Sequence, residues 1–294
     1  MFEGFADRRL EIEGQTIACF EGGEGPAVLM LHGFPQTRAL WARIGPGLAA
    51  AGHRVVAADL RGYGDSGQPD WADDGRNHSF RAMARDMVGL MTALGADRFH
   101  IVAHDRGARV AHRLALDVPG RVASVTLMDI VPTRRLLEGY DLALGKAYWH
   151  WTFLAQPEPF PEDLIGSAPD RFFEACLLGW GAARLADFDA GQLAAYRAAW
   201  RRPEVIAGMC RDYRAALTAD LADDRADAGA RIAAPALVLW GADGAMGRMY
   251  DVAAEWAPQC TAMEAAALPG GHFFPDTCPD RVLERVRGFL AGRD

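Results

Sequence analysis

Val102-Ala103-His104-Asp105-Arg106-Gly107 is the stretch whose reading decides the fold. An apolar segment, Phe99 to His104, leads into it, and Arg106 to Leu116 follows with helical spacing. A buried strand that gives way to a helix at one residue makes a tight turn, and small residues flank such a turn because its backbone is crowded. Here Ala103 and Gly107 are the small residues, and Asp105 stands at the tip, in the nucleophile position of the pattern. A lone Asp before a helix is ordinarily an N-cap, so the motifs around it must decide. Serine does not compete for the role: Ser66, Ser79, Ser124 and Ser167 are the only serines, and none lies in G-x-S-x-G. No cysteine occupies such an elbow either.

Outward from the elbow the chain alternates between apolar runs and amphipathic segments. Residues 8–20 read as a β-hairpin turning at Glu13-Gly14. Ala27 to Leu31 and Arg54 to Leu60 read as buried strands. The first ends in His32-Gly33-Phe34-Pro35 and the second in Arg61-Gly62-Tyr63-Gly64-Asp65-Ser66-Gly67. Helices are expected over Thr37 to Ala51 and over Phe80 to Leu94, the latter with Met83, Met87, Leu90 and Leu94 on one face. Ala123 to Ile130 is a further strand. The pattern predicts an α/β fold with a mostly parallel sheet covered on both faces. From about Pro132 to Ala230 no strand run appears, only aromatic, Pro-rich and Ala-rich helical segments, among them Gln192 to Trp200 and Val205 to Ala219. We therefore expect a core of residues 1–131 and 231–294 interrupted by a helical cap over 132–230. Strands resume at Pro235 to Trp240 and Met263 to Leu268. A last helix carries Val282, Val286, Phe289 and Leu290 on one face and opens at Pro279.

Beyond the elbow, three sets of residues carry chemistry. His272, in Leu268-Pro269-Gly270-Gly271-His272-Phe273, follows the last strand, the place of the general base in the chain order nucleophile, acid, histidine. Asp129, directly at the end of its strand, and Asp243, in Gly241-Ala242-Asp243-Gly244, both compete to orient it. Asp129 is preferred because Pro132 stiffens the exit that follows, whereas Asp243 also reads as an ordinary turn residue before Gly. Arg106 and Arg109 sit three apart in the first turn of the elbow helix. A helix N-terminus disfavours cations by roughly 0.3–1 kcal/mol each, so an anion held between the two, beside Asp105, would offset that cost. A carboxylate gripped by guanidinium forks is the natural one.

Composition sets bounds on partners. The chain has 294 residues, half of them hydrophobic, and a formal charge of -8. No Lys/Arg block points to nucleic acid, and no apolar run is long enough to span a bilayer. Cys19, Cys176, Cys210, Cys260 and Cys278 are scattered and odd in number, which fits a reducing compartment rather than a disulfide frame or zinc site. With no visible signal peptide, a cytoplasmic location is expected.

Together His32-Gly33-Phe34-Pro35, Arg61-Gly62-Tyr63-Gly64-Asp65-Ser66, His104-Asp105-Arg106-Gly107-Ala108-Arg109, Leu127-Met128-Asp129-Ile130, Trp149-His150-Trp151, Asp212-Tyr213-Arg214 and Gly271-His272-Phe273 resemble, in this order, the haloacetate dehalogenases, specifically the fluoroacetate dehalogenases. The resemblance covers nearly the whole chain. It implies an α/β-hydrolase fold and a small anionic haloacid substrate whose carboxylate is bound by Arg106 and Arg109. It further implies attack by Asp105 to give an enzyme ester, and halide stabilised by His150, Trp151 and Tyr213. His272, oriented by Asp129, would activate water, and the backbone N–H groups of Phe34 and Arg106 would form an oxyanion hole. It implies no cofactor or metal, and a homodimer. An epoxide hydrolase is the alternative: it shares Asp105 and His272 but needs two cap tyrosines, for which Tyr213 and Tyr148 are the candidates. A haloalkane dehalogenase usually has Trp where Arg106 stands.

Overall fold

The apolar runs form strands, most of them buried on both faces, because only a sheet with helices on each side removes such runs from water. The computed structural model describes residues 1–180 and 183–293. Its eight strands are β1 (Ala6–Ile12), β2 (Gln15–Gly22), β3 (Ala27–Leu31), β4 (Arg54–Ala58), β5 (Phe99–His104), β6 (Val122–Met128), β7 (Ala236–Gly241) and β8 (Met263–Leu268). They form one sheet in the order β1-β2-β4-β3-β5-β6-β7-β8. β1 and β2 form the antiparallel hairpin, with Ile12 opposite Gln15. Its turn places Glu13 at φ +49° and Gly14 at φ +81°, both in the left-handed region that tight hairpins require. From β4 to β8 all pairings are parallel.

Alternate side chains of each strand enter two cores. Val28, Met30, Val55, Ala57, Val102 and Met128 pack with Trp41 and with Val282, Val286, Phe289 and Leu290 of the last helix, Pro279–Leu290. Leu29, Leu31, Val56, Ile101 and Leu127 face the helices Phe80–Ala93 and Asp105–Asp117. Met83, Met87 and Leu90 are fully buried there, and Leu94 is half-buried just past the helix end. The helix expected over Thr37 to Ala51 is two pieces, a 3-10 turn over Arg38–Arg43 and a helix over Gly45–Ala50. The break falls at Ile44, because Pro46 is tolerated in the first turn of a helix and not in its interior, so a new helix starts at Gly45.

Between β6 and β7 the named elements are all helical, from Thr133–Glu138 to Leu221–Ala226; Gly181 and Ala182 lie outside the described residues. The helix Pro203–Ala215 runs into a π-helical turn over Ala216–Asp220. The insertion sits over the C-terminal ends of the parallel strands, where β3 and β5 carry the chain to opposite sides of the sheet. In open α/β sheets this is where ligands bind. Two glycines permit the close approaches that build this end. A Cβ on Gly107 would lie 2.4 Å from the His32 carbonyl oxygen and 2.6 Å from that of Leu31, and one on Gly208 would lie 2.4 Å from the Gly62 carbonyl oxygen. Gly107 thus presses the elbow helix against β3, and Gly208 presses the Pro203–Ala215 helix onto the loop after β4.

Gly107→Ala is expected to destabilise the protein by about 1–3 kcal/mol, the cost of overpacking a rigid backbone contact. A urea denaturation midpoint equal to that of the parent would show that the elbow helix shifts freely.

Candidate active site

β5 ends at His104, and Asp105 opens the following helix with φ +48°. A non-glycine residue in the left-handed region is strained and concentrates at functional turns. The turn carries the Asp105 side chain toward the β3 loop, where a Cβ on Gly33 would meet the Asp105 Cβ at 2.4 Å. Asp105 Oδ1 accepts a hydrogen bond from the Phe34 backbone N–H at 3.0 Å, and Gly107 N–H donates to the His32 carbonyl at 2.9 Å. Asp105 Oδ2 lies 3.8 Å from His272 Nε2. Burial alone would raise the Asp105 carboxyl. His272, His104, Arg106 and Arg109 outweigh it and hold the group down to about 2.

His272 and Asp129 complete this face. Asp129, at the end of β6, is the other left-handed aspartate, at φ +54°. Its Oδ2 lies 2.6 Å from His272 Nδ1, and its Oδ1 accepts from Gly241 N–H at 2.9 Å. Asp243 is an exposed turn residue that accepts from Gly270 N–H at 3.2 Å, so of the two carboxylates only Asp129 meets the histidine. Burial opposes a charge on His272, but the hydrogen bond and charge of Asp129, with that of Asp105, raise its pKa above the usual 6.5. The Asp129 contact assigns the ring proton to Nδ1 and leaves the Nε2 lone pair facing Asp105.

The two arginines are not equivalent. Arg106 is fully buried and gives its fork to Asp212 on the Pro203–Ala215 helix, Nε to Oδ2 at 2.8 Å and Nη2 to Oδ1 at 2.5 Å. Tyr63 donates its hydroxyl to the same carboxylate at 2.6 Å. The guanidinium lies over the rings of Tyr213 (4.2 Å), Phe80 (4.6 Å) and Trp151 (5.0 Å). Its Nη1 is buried without a partner among the described residues. The sequence reading gave Arg106 an anion from outside; the structure adds Asp212, a member of a quoted motif to which that reading gave no role. Arg109 donates through Nη1 to the Val131 carbonyl (3.1 Å) and Thr133 Oγ1 (3.0 Å), and its Nε is buried without a partner among the described residues. Burial, reinforced by Arg106, lowers Arg109 to about 10, so it remains charged at neutral pH.

The insertion forms the roof. His150 and Trp151 come from the helix Trp149–Leu154, and Tyr213 from Pro203–Ala215. Tyr213 stands edge-on to Phe34, His150 and Trp151, with ring centroids 5.2–5.5 Å apart. Burial pushes His150 well below 6.5, so its ring is neutral, and its Nδ1 has no partner among the described residues. Trp180, which carries no sequence motif, was missed: its ring lies 4.1 Å from His150 and 5.6 Å from His272, and its carbonyl accepts from His272 N–H at 3.1 Å. Tyr148 stacks on Trp180 at 6.0 Å, with its hydroxyl buried and unpartnered among the described residues. Among the described residues no group of three or more His, Cys, Asp or Glu is placed to hold a metal ion, and no helix is long and apolar enough to cross a membrane.

A carboxylate nucleophile, a His–Asp pair, two buried cations and neutral donors can carry out displacement followed by ester hydrolysis. The family model described as the alpha/beta hydrolase fold matches residues 26–277. A fluoroacetate dehalogenase of Burkholderia sp is 50% identical over 291 residues, covering 99% of this chain and 95% of its own length. A soluble epoxide hydrolase of Corynebacterium sp. is 26% identical over 95% of each chain. Among solved structures, a putative alpha/beta hydrolase from Nostoc sp superposes with a TM-score of 0.97 at 43% identity, covering 99% of this chain and all of its own. A putative epoxide hydrolase from Pseudomonas aeruginosa superposes with a TM-score of 0.92 at 38% identity, covering 99% and 97%.

Asp212→Ala strands the Arg106 charge in the interior and is expected to cost about 3–5 kcal/mol of stability. Chemical denaturation checks this; a loss too small to measure would mean that another anion or water replaces the carboxylate.

Proposed function

The chain belongs to the α/β-hydrolase fold family, and within it we propose that this protein is a hydrolytic dehalogenase converting haloacetates such as fluoroacetate and chloroacetate to glycolate and halide. The observation that carries the reading is the ionised, buried Asp105 beside two buried guanidinium groups, each with a nitrogen unpartnered among the described residues. The 50% identity to the Burkholderia fluoroacetate dehalogenase over nearly the whole chain supports the same chemistry. In this reading residues 1–131 and 231–294 form the catalytic core and 132–230 a cap, and the protein is a cytoplasmic homodimer.

Arg106 Nη1 and Arg109 Nε take the substrate carboxylate. Asp105 Oδ1 is held by Phe34 N–H, which leaves Oδ2 as the attacking atom. The new Oδ2–Cα bond forms as the carbon–halogen bond breaks, and His150, Trp151 and Tyr213 donate hydrogen bonds to the departing halide. The ester carbonyl oxygen is then Oδ1. Water attacks the ester carbon while His272 Nε2 takes its proton, and charge gathers on Oδ1, opposite the N–H groups of Phe34 and Arg106. Collapse breaks the Asp105 Cγ–Oδ2 bond; the departing alkoxide takes the remaining proton of the attacking water and leaves as glycolate, His272 releases its proton to solvent, and the carboxylate is restored.

An epoxide hydrolase is the second reading, favoured by Tyr148 and Tyr213, whose rings flank His150 at 5.6 and 5.5 Å. Against it, a neutral epoxide offers no carboxylate to Arg106 Nη1 and Arg109 Nε, which have no acceptor among the described residues.

Halide release from fluoroacetate and chloroacetate, beside diol formation from a neutral epoxide, separates the two. Asp105→Asn is expected to abolish halide release, and His272→Ala to stall at an ester visible as added mass on the Asp105 peptide; diol without halide would overturn the assignment. The proton on His272 must be absent for it to act as base. Its raised pKa therefore places the acid limb of turnover above pH 6.5, with activity falling as pH drops through it. A limb below that value would remove His272 from the role.

A further inference from the structure

Behind His272 runs a chain of buried polar groups that the reaction above does not use. His104 Nε2 lies 2.9 Å from the His272 backbone carbonyl oxygen, and His104 Nδ1 lies 3.2 Å from Gln36 Oε1. Gln36 Nε2 lies 2.5 Å from Asp276 Oδ2, and a half-turn of the amide exchanges its two ends. Tyr196, on the insertion helix Ala190–Trp200, donates its hydroxyl to Asp276 Oδ1 at 2.8 Å. All four side chains are fully buried.

Counting protons along this chain gives a definite result. The His272 carbonyl only accepts, so His104 Nε2 must carry hydrogen. A neutral His104 then has a lone pair on Nδ1 and needs a donor, which among the described residues only the Gln36 NH₂, with the amide turned, supplies. Gln36 in that orientation turns its oxygen toward Asp276 Oδ2, and two acceptors cannot face each other unless the carboxyl is protonated. With the amide reversed, Gln36 donates to an ionised Asp276, and its oxygen then requires a second N–H on His104. Either way the chain holds one proton more than an ionised Asp and a neutral His would carry. Burial pushes His104 down to about 4 and Asp276 up to about 7, which places that proton on Asp276.

We propose that Asp276 is a neutral carboxylic acid that, through Gln36 and His104, anchors the backbone of the general base, making it a positioning residue for the hydrolytic step. The proposal rests on His272 acting as that base. The groups facing Asp276 are Gln36 from the β3 loop, Tyr196 from the insertion and, acting through charge, His272 and Arg43. When Asp276 ionises with His104 neutral, Gln36 turns its NH₂ to the carboxylate. His104 then gives Nδ1–H to Gln36 and points a bare Nε2 at the His272 carbonyl. The base loses its anchor, so turnover falls on the alkaline side.

Infrared difference spectra of the wild type minus Asp276→Asn, with ¹³C-labelled aspartate to identify the band, read the proton directly. A protonated carboxyl C=O stretch at acidic pH that gives way to carboxylate bands as pH rises is expected; carboxylate bands throughout would overturn the proposal. Asp276→Asn presents an NH₂ to Gln36 as the acid presents its O–H. It is expected to keep chloroacetate turnover within about threefold while losing the alkaline limb, since the replaced partner leaves no group unsatisfied. An unchanged limb would overturn it. Tyr196→Phe removes a donor that favours the ionised form, so the limb moves to higher pH; this variant decides the matter if Asp276→Asn does not fold, and an unmoved limb counts against the proposal. Ester formation on Asp105 in the same samples separates the two readings, because the carboxyl band needs no turnover. Absent ester would sink the dehalogenase reading and leave the proton assignment standing.

Discussion

An ionised carboxylate buried in a protein interior must be surrounded by opposite charge or by N–H donors, and the architecture around Asp105 follows from that requirement. The elbow puts the carboxylate against Phe34 N–H, and the helix that it opens brings Arg106 and Arg109 within electrostatic reach. Two cations at one helix N-terminus then need compensation of their own. Asp212 supplies it for Arg106 from the insertion, and the Val131 carbonyl and Thr133 hydroxyl supply part of it for Arg109. Each partner leaves one nitrogen of its guanidinium without an acceptor among the described residues, so the charges are balanced while two N–H donors stay open to a ligand.

The same compensation ties the two layers together. Asp212 and Tyr213 are neighbours on one helix: the first grips Arg106, and the second places its ring under the guanidinium and beside Phe34. Gln192 donates to the carbonyls of Ala39 and Leu40, and Asp220 accepts from Phe80 N–H at the start of the Phe80–Ala93 helix. These contacts pair Gln192 Nε2 and Asp220 Oδ1 at the junction, with Gln192 Oε1 and Asp220 Oδ2 unpartnered among the described residues, and their directionality favours one seating of the insertion over many.

The core was legible because local rules and tertiary structure agree there. The strands expected at Ala27–Leu31, Phe99–His104 and Met263–Leu268 have the observed bounds, since a short apolar run between turn residues has few alternatives in an α/β fold. Helix ends and breaks were less so: the break at Ile44, ahead of Pro46, divides a segment whose apolar spacing suggests one helix. In the site, the residues that carry a motif come together in the structure, and those that join them by packing alone carry no signal in the sequence. Trp180 has no sequence neighbour to mark it and gains its place only through tertiary contact. Asp276, Gln36 and Tyr196 lie far apart in sequence and meet in one buried chain, which no spacing rule connects. Both acids considered for His272 stand at strand ends, and the left-handed turn at Asp129 that aims its carboxylate has no signature in residue type.

The roof of the site bears on how the proposed reaction spends its binding energy. His150 is neutral by burial, and Trp151 and Tyr213 offer an indole N–H and a phenol, so the residues proposed to receive the halide supply dipoles and no formal charge of their own. A cation there would hold the free halide product as firmly as it helps the departing one. Neutral donors gain most while charge develops on the leaving atom and less once the ion has formed and can be hydrated, which is the differential binding that lowers a barrier. The formal charges are on Arg106 and Arg109, against the Trp151 and Tyr213 rings and proposed to hold the substrate carboxylate, which is charged before, during and after reaction. Uniform attraction there sets affinity and orientation, and the uncharged roof is left to distinguish the transition state from what precedes and follows it.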